Sequence, residues 1–281
     1  MPVTAPPASE DELSGRSLYG DSFSPAQIEQ WYETEVSGYF DLITTHYKIA
    51  DEENKYDYEY AALNRFHAIG SLLNRKFDTC VALGCAAGTD IEPLAPVVRR
   101  FVAIEPAEKW WRSEIGGKPA QFLKPTVLGD IPLADGSADL AASFGVLHHI
   151  PNVSHVVGEI ARILAPGGLF VLREPICSMG DWRKARPGLT ANERGLPIEW
   201  FDNLVKKTGF RIVARRPCMF NPLIAIGKKL GFPTPLSVMP IVVLDSLICR
   251  AMQWNVRYWR ESFFRKLAPS SAFWILERTG G

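Results

Sequence analysis

Two short stretches hold the residue types that chemistry needs. In the first, VALGCAAGTD, an apolar run from Val81 enters a turn of small residues with glycines at Gly84 and Gly88. Glycine has no Cβ, so such a turn lets the backbone approach a ligand closely. The run FVAIE then ends on Glu105, where a carboxylate can accept both hydroxyls of a ribose. A dinucleotide fingerprint needs glycines at positions 86 and 89; these are Ala86 and Thr89, and the Lys of a Walker loop is also missing. In the second stretch, GVLHHI sets His148 and His149 side by side after an apolar run, and LREP sets Glu174 at the end of the next.

The elements around these residues alternate. FDTCVAL, FVAIE, PTVL, ADLAASF, LFVLRE and FRIVARR read as strands. A helix is expected from the glycine turn to about Arg100, another around Lys109 to Ser113, and others over NVSHVVGEIARIL and PIEWFDNLVKKTG. Alternation of this kind implies right-handed βαβ units. The expected fold is α/β, a Rossmann-like doubly wound sheet that is mostly parallel, with SAFWILER as a closing antiparallel strand. The ligand edge of such a sheet lies at the carboxyl ends of its strands, where the glycine turn, Glu105, the histidines and Glu174 all fall.

The domain reading is a disordered tail over 1–23, an N-terminal helical cap over 24–75 and a core over 76–216. A helical insertion over 217–268 and a closing strand over 269–281 complete it. In the cap, Ser24 and Gln27 form a capping box for a helix to about Phe40, and a second helix runs from Tyr56 to Leu73. In the insertion, a helix is expected around Ser246 to Arg260.

Composition narrows the class. The chain has 281 residues, 47% hydrophobic and 22% charged, with zero net charge, so nothing global points to nucleic acid. Residues 1–60 carry 13 acids against 3 bases, and residues 173–268 carry 17 bases against 7 acids. That asymmetry reads as solvated surface or as the mark of an anionic partner. Five cysteines without a C-x-x-C pair argue against a disulfide framework or a metal site and for a reducing, cytoplasmic setting. No apolar run is long enough to span a membrane, which leaves peripheral contact open.

LGCAAG, AIEP, GDIPLADGSADL, GVLHHI and RILAPGG occur in an order that resembles the core of class I S-adenosylmethionine-dependent methyltransferases of the type 11 kind. The resemblance covers about residues 77–216. It implies S-adenosylmethionine as cofactor, held by Gly84, Cys85, Ala86, Gly88, Glu105, Pro106, Asp130, Ile131, Phe144 and Gly145. It also implies His148, His149 and Glu174 as the catalytic set, with one histidine toward the methyl group. Such enzymes carry an acid two positions before the first glycine and a glycine midway. Here these are Ala82 and Ala86, and Asp90 is the candidate substitute for the acid. Segments beyond the core are similar to methyltransferases of bacterial polysaccharide clusters, which suggests a sugar or glycan acceptor.

The segment PICSMGDWRKARPGLTANERGL has no clear period. Its length and cations suggest an acceptor lid in which Trp182, Arg183, Arg186 and Arg194 recognise an anionic group. Tyr19, Trp31, Tyr32 and Tyr47 are either core or a cover over the cofactor. The function expected is methyl transfer, O-directed, to a sugar, glycan or other small polar acceptor. The alternative is a non-catalytic scaffold of the same fold. The oligomeric state is not set by the sequence.

Overall fold

The computed structural model describes residues 7–41, 59–184, 186 and 188–280, the side chains of 36–41 aside. Its strands are β1 (Phe77–Leu83), β2 (Val98–Ile104), β3 (Glu114–Ile115), β4 (Lys118–Leu123), β5 (Ala138–Phe144), β6 (Leu164–Pro175), β7 (Phe210–Cys218) and β8 (Ser271–Arg278). They form one sheet in the order β3-β4-β2-β1-β5-β6-β8-β7. β4, β2, β1, β5 and β6 are parallel neighbours, and β8 runs antiparallel to both β6 and β7. This is the mixed, mostly parallel sheet expected.

β1 is the centre. Cys80 pairs with Phe101 on one side and Leu140 on the other. Successive side chains point to opposite faces. Cys80 and Ala82 join a core with Leu63, Ile69, Leu94 and Val242, whereas Val81 and Leu83 join a second core with Val156, Ile160, Phe201 and Val205. Both faces are covered, which is why the strand reads as an unbroken apolar run. The second face is roofed by α4 (Val153–Ile163) and α5 (Ile198–Lys207), and the first in part by α3 (Ala61–His67). Between β7 and β8 lie α6 (Asn221–Lys229), α7 (Met239–Met252) and α8 (Phe263–Lys266). The amino-terminal part supplies α1 (Glu10–Ser14) and α2 (Pro25–Asp41).

Several elements differ from expectation. No helix follows the glycine turn. A single 3₁₀ turn, Glu92–Leu94, leads into β2, because Pro93 and Pro96 remove donors from a segment already short. Lys109 to Ser113 likewise holds only the 3₁₀ turn Glu108–Trp110. PTVL is not a strand; the third parallel strand is β4, paired with β3 across Gly116 and Gly117, whose φ values of 56° and 72° suit a tight hairpin. Residues 10–23, read as a disordered tail, are ordered. Ser9 and Glu12 form a capping box on α1, Leu18 is buried, and Tyr19 stacks on Trp182. The helix read from Tyr56 is α3 followed by a 3₁₀ turn at Ile69–Leu72, with 56–58 outside the described residues. α7 begins and ends earlier than expected, with Pro240 in its first turn.

Gly84 sits at the carboxyl end of β1 with φ +58°, and a Cβ there would lie 2.5 Å from Val146 Cγ1. Gly84→Ala is therefore expected to lose about 1–3 kcal/mol of unfolding free energy in urea. Adding Val146→Ala should recover part of that loss, because it removes the clash and leaves the backbone strain.

Candidate active site

The glycine turn, the end of β2 and the end of β5 meet at one edge of the sheet. Ala86 holds φ +46° and Gly88 φ +91°. Cys85 is buried, and its carbonyl accepts the Gly88 N–H at 2.8 Å. Glu105 follows β2 and is 6% exposed. Its two oxygens accept the Ala86 N–H at 3.0 Å and the Ala107 N–H at 2.9 Å, so it bridges the turn to its own strand end on either side of Pro106. Burial pushes this carboxyl up, against the pull of those amides. Tyr32 of α2 is close enough to feel Glu105 and Lys124, although burial is what chiefly raises its phenol.

The structure tests whether these residues fit an S-adenosyl group. Asp90, the substitute for the missing acid, is driven up to about 7 by burial despite the attraction of Arg173, and its Oδ1 has no hydrogen-bond partner. An orphaned carboxylate oxygen beneath a glycine turn is a place for an ammonium group. Gly145, after Phe144 of β5, has φ +79°, and an added Cβ would lie 3.6 Å from Arg173 Nη2 and 3.7 Å from His148 Cε1. These features fit the group. Asp130 fits less directly. It is exposed, its carboxylate is taken by the Thr126 hydroxyl at 2.7 Å and by His155 at 2.8 Å, and its amide donates to Thr126. The Ile131 amide donates to Glu159.

His148 and His149 occupy a 3₁₀ turn after β5, with ring centroids 4.1 Å apart. Each is held by a different carboxylate. His148 Nδ1 donates to Glu174 Oε2 at 2.8 Å. Glu174, wholly buried in β6, also accepts the amides of Val146 and Leu147, each at 2.9 Å. Burial pushes Glu174 up, but these three donors outweigh it and hold the group as carboxylate. Burial, aided by His149, pulls His148 down. His149 Nδ1 meets Glu35 of α2 at 2.9 Å; burial pulls it down, yet Glu35 and Glu193 outweigh that and its pKa rises. Two adjacent imidazoles are thus pushed apart, His148 toward the neutral base and His149 toward the cation. His148 Nε2, left as an acceptor by the Nδ1–H bond to Glu174, lies 4.0 Å from Glu193 Oε2. His148, His149 and Glu193 bring one ligating atom each within 4.8 Å. The side-chain hydrogen bonds of Glu174 go to the turn and to His148, whose ring it orients.

The lid expectation needs correction. Arg194 is fully buried, and its guanidinium donates to the carbonyls of Tyr19, His148, Ile150 and Pro151 at 2.9–3.1 Å, beside the Trp31 ring. Arg186 donates to the carbonyls of Met179, Thr190 and Ala191. Trp182 is buried against Tyr19 at 4.7 Å. Arg183 is exposed and paired with Asp181 at 2.7 Å. Three of the four residues expected to bind an acceptor thus fasten the loop instead.

The loop supplies something the sequence reading passed over. Glu193 accepts the Thr190 amide, and the Thr190 hydroxyl donates to Glu35. Trp31, whose indole donates to the His149 carbonyl at 2.7 Å, lies one helical turn before Glu35. An acid on the apolar stripe of Ile28 and Trp31 was the available signal for Glu35; nothing in the sequence singled out Glu193. Tyr47 lies outside the described residues. A recess of about 560 Å³ between Asp135, Arg162, Pro166 and Arg278 opens at the opposite edge of the sheet, away from this chemistry.

Comparison with known proteins agrees with the fold. Residues 81–172 match the family model described as a methyltransferase domain. An uncharacterized transposon protein of Streptomyces fradiae is 32% identical over 114 residues, covering 38% of this chain and 32% of that protein. A protein of Mycolicibacterium smegmatis, assigned by its name to the S-adenosylmethionine-dependent methyltransferases, is 29% identical over 92 residues, 33% of this chain and 36% of its own. The chain spans about a third of the length of these curated relatives. Among solved structures, a SAM-dependent methyltransferase from Thermotoga maritima superposes with TM-score 0.51 at 19% identity, over 90% of this chain and all of that one. One from Mesorhizobium loti gives 0.50 at 17%, over 75% and 96%. These likenesses show the fold. The family match covers residues 81–172, about a third of this chain, and spans the sheet from β1 to β6.

Two outcomes follow from the site's buried charges. Arg194→Met removes the guanidinium donor from the Tyr19 and Ile150 carbonyls, while those of His148 and Pro151 keep a backbone amide, and should cost roughly 3 kcal/mol in chemical denaturation. The Glu35–His149 pair should give a pH-dependent stability. The raised His149 contributes fully below its ordinary 6.5 and loses that contribution as pH rises through its folded value. The lowered Glu35 contributes above its ordinary 4.5 and loses it on acidification through its folded value. The stability difference between the native chain and Glu35→Gln should therefore be largest between pH 4.5 and 6.5.

Proposed function

We propose that this protein transfers a methyl group from S-adenosylmethionine to a hydroxyl of a small polar acceptor, a sugar or glycan being the class that fits. The cofactor, when bound, supplies an electrophilic methyl group. The chain's own residues do the rest. Gly84, Cys85, Ala86 and Gly88 shape the cradle, with Asp90 toward the amino-acid end and Glu105 toward the ribose. The assignment of Asp130 to the adenine end rests on the family resemblance alone.

The observation that carries the reading is His148. Its Nδ1 proton is fixed on Glu174, its neutral form is favoured, and its Nε2 looks toward Glu193. A hydroxyl that donates to Nε2 would give its proton there as its oxygen takes the methyl carbon, whose bond to the sulfonium sulfur breaks to leave a neutral thioether. Glu174 then stabilises the imidazolium. Three buried carboxylates, Glu35, Glu174 and Glu193, surround the reacting end. That charge disfavours an anionic acceptor, in keeping with a loop whose cations are spent internally. A scaffold without activity would have no use for a neutral histidine aligned by a buried acid. Among the relatives, one is named a ubiquinone biosynthesis O-methyltransferase and another a dimethylglycine N-methyltransferase, so the atom methylated rests on the site's chemistry.

Calorimetry and turnover separate the roles. His148→Ala should bind S-adenosylmethionine as before and lose on the order of 100- to 10,000-fold in methyl transfer to a panel of sugars. Glu105→Ala should weaken cofactor binding about ten-fold or more. Retained turnover in His148→Ala would refute the base assignment, and absence of S-adenosylmethionine binding by the native chain would refute the methyl-transfer reading.

A further inference from the structure

α7 is inverted relative to an ordinary surface helix. Its buried side carries Val242, Asp245 and Cys249, while Met239, Val243, Leu244 and Leu247 face solvent. Asp245 fixes that orientation. It is fully buried, and its carboxylate accepts the amides of Met219 at 2.9 Å and Phe220 at 2.6 Å at the end of β7. Turning the helix to hide its leucines would strip both amides of their acceptor.

Exposed apolar side chains also occur in the segments beside α7. Leu230 and Phe232 follow α6, and Trp254 follows α7. Asn255 ties the end of α7 to α8 by donating to the carbonyls of Phe264 and Leu267. Trp254, Phe263 and Phe264 are 69%, 71% and 77% exposed, values that core or packing residues never show. The same segment carries Lys228, Lys229, Arg250, Arg257, Arg265 and Lys266, all exposed, of which Lys228 pairs with Glu59 at 3.4 Å. The acids of residues 219–268 are the buried Asp245 and a single exposed Glu261.

We propose that the α6–α8 face is a membrane-binding surface that seats its leucines and aromatics at the polar boundary of an anionic lipid leaflet. Leucine and aromatic side chains enter the interfacial layer, and lysine and arginine beside them meet the lipid phosphates. A helix of this length lies in the plane of the surface, and no helix among the described residues is long and apolar enough to cross a membrane. A second copy of the chain is the weaker occupant. A two-fold contact would set the same six cations against themselves. The inference stands apart from the methyl-transfer reading, because it concerns a surface formed by other elements.

Sedimentation with vesicles tests it. The native chain should pellet with vesicles of equal parts phosphatidylcholine and phosphatidylglycerol, and much less with phosphatidylcholine alone. Leu247→Asp and Phe264→Asp lie on exposed positions and should leave the fold unchanged by circular dichroism while lowering partitioning at least about ten-fold. Reversing Lys228, Lys229 and Arg250 to Glu should abolish the preference for anionic vesicles. A chain that stays in the supernatant with both vesicle types overturns the proposal. So does binding indifferent to both apolar substitutions, which would be charge attraction alone. A dimer in sedimentation velocity that Leu247→Asp dissociates would assign the face to self-association and overturn it as well.

Discussion

The site depends on one buried carboxylate. Glu174 sits in a strand where no water reaches it, and it persists as an anion only because three donors close on it: the Val146 and Leu147 amides and the His148 ring. Removing a charge from water costs far more than a single hydrogen bond returns. All three donors come from the turn after β5. The turn is thus shaped around the acid, and His148 inherits one tautomer and one direction from that shape. Arg194 closes the turn from outside by holding the carbonyls of His148, Ile150 and Pro151. The orientation of the His148 ring is therefore set by the buried Glu174 on the sheet and the buried Arg194 on the loop.

The two histidines show how neighbouring identical residues acquire different chemistry. His148 is answered by an acid on the sheet and His149 by an acid on α2. α2 packs on the site through Trp31 and Glu35 together, and the segment 190–193 joins the same network through Thr190, Asn192 and Glu193. Parts of the chain far apart in sequence converge on one pair of rings.

Much of this was legible in the sequence. Apolar alternation around the glycine turn gave the sheet, and the acids and histidines were placed at the strand ends where the structure gathers them. What stayed hidden has physical causes. The short chain between β1 and β2 cannot hold a helix once two prolines occupy it, although its residues suggested one. Gly116–Gly117 marked the β3–β4 hairpin more reliably than the apolar PTVL marked a strand, since positive φ is a stricter requirement than hydrophobicity. Arg183, Arg186 and Arg194 look alike in sequence, yet one is paired on the surface and two are consumed by backbone carbonyls. Composition reports that cations are present and is silent on where their donors point. The inverted α7 was unreadable for a related reason: its orientation is decided by amides that belong to another element.

The β3–β4 hairpin has a further bearing on the molecule's social behaviour. An edge strand exposes unpaired backbone groups that recruit other strands. Here one border of the sheet is only the two-residue β3, too brief to template a neighbour. The other, β7, carries Arg211, Arg215 and Arg216 and ends at Pro217, a charged rim that disfavours strand addition. Both borders are thus blunted against indiscriminate pairing. The chain can present apolar surface on its helices without inviting its sheet to polymerise.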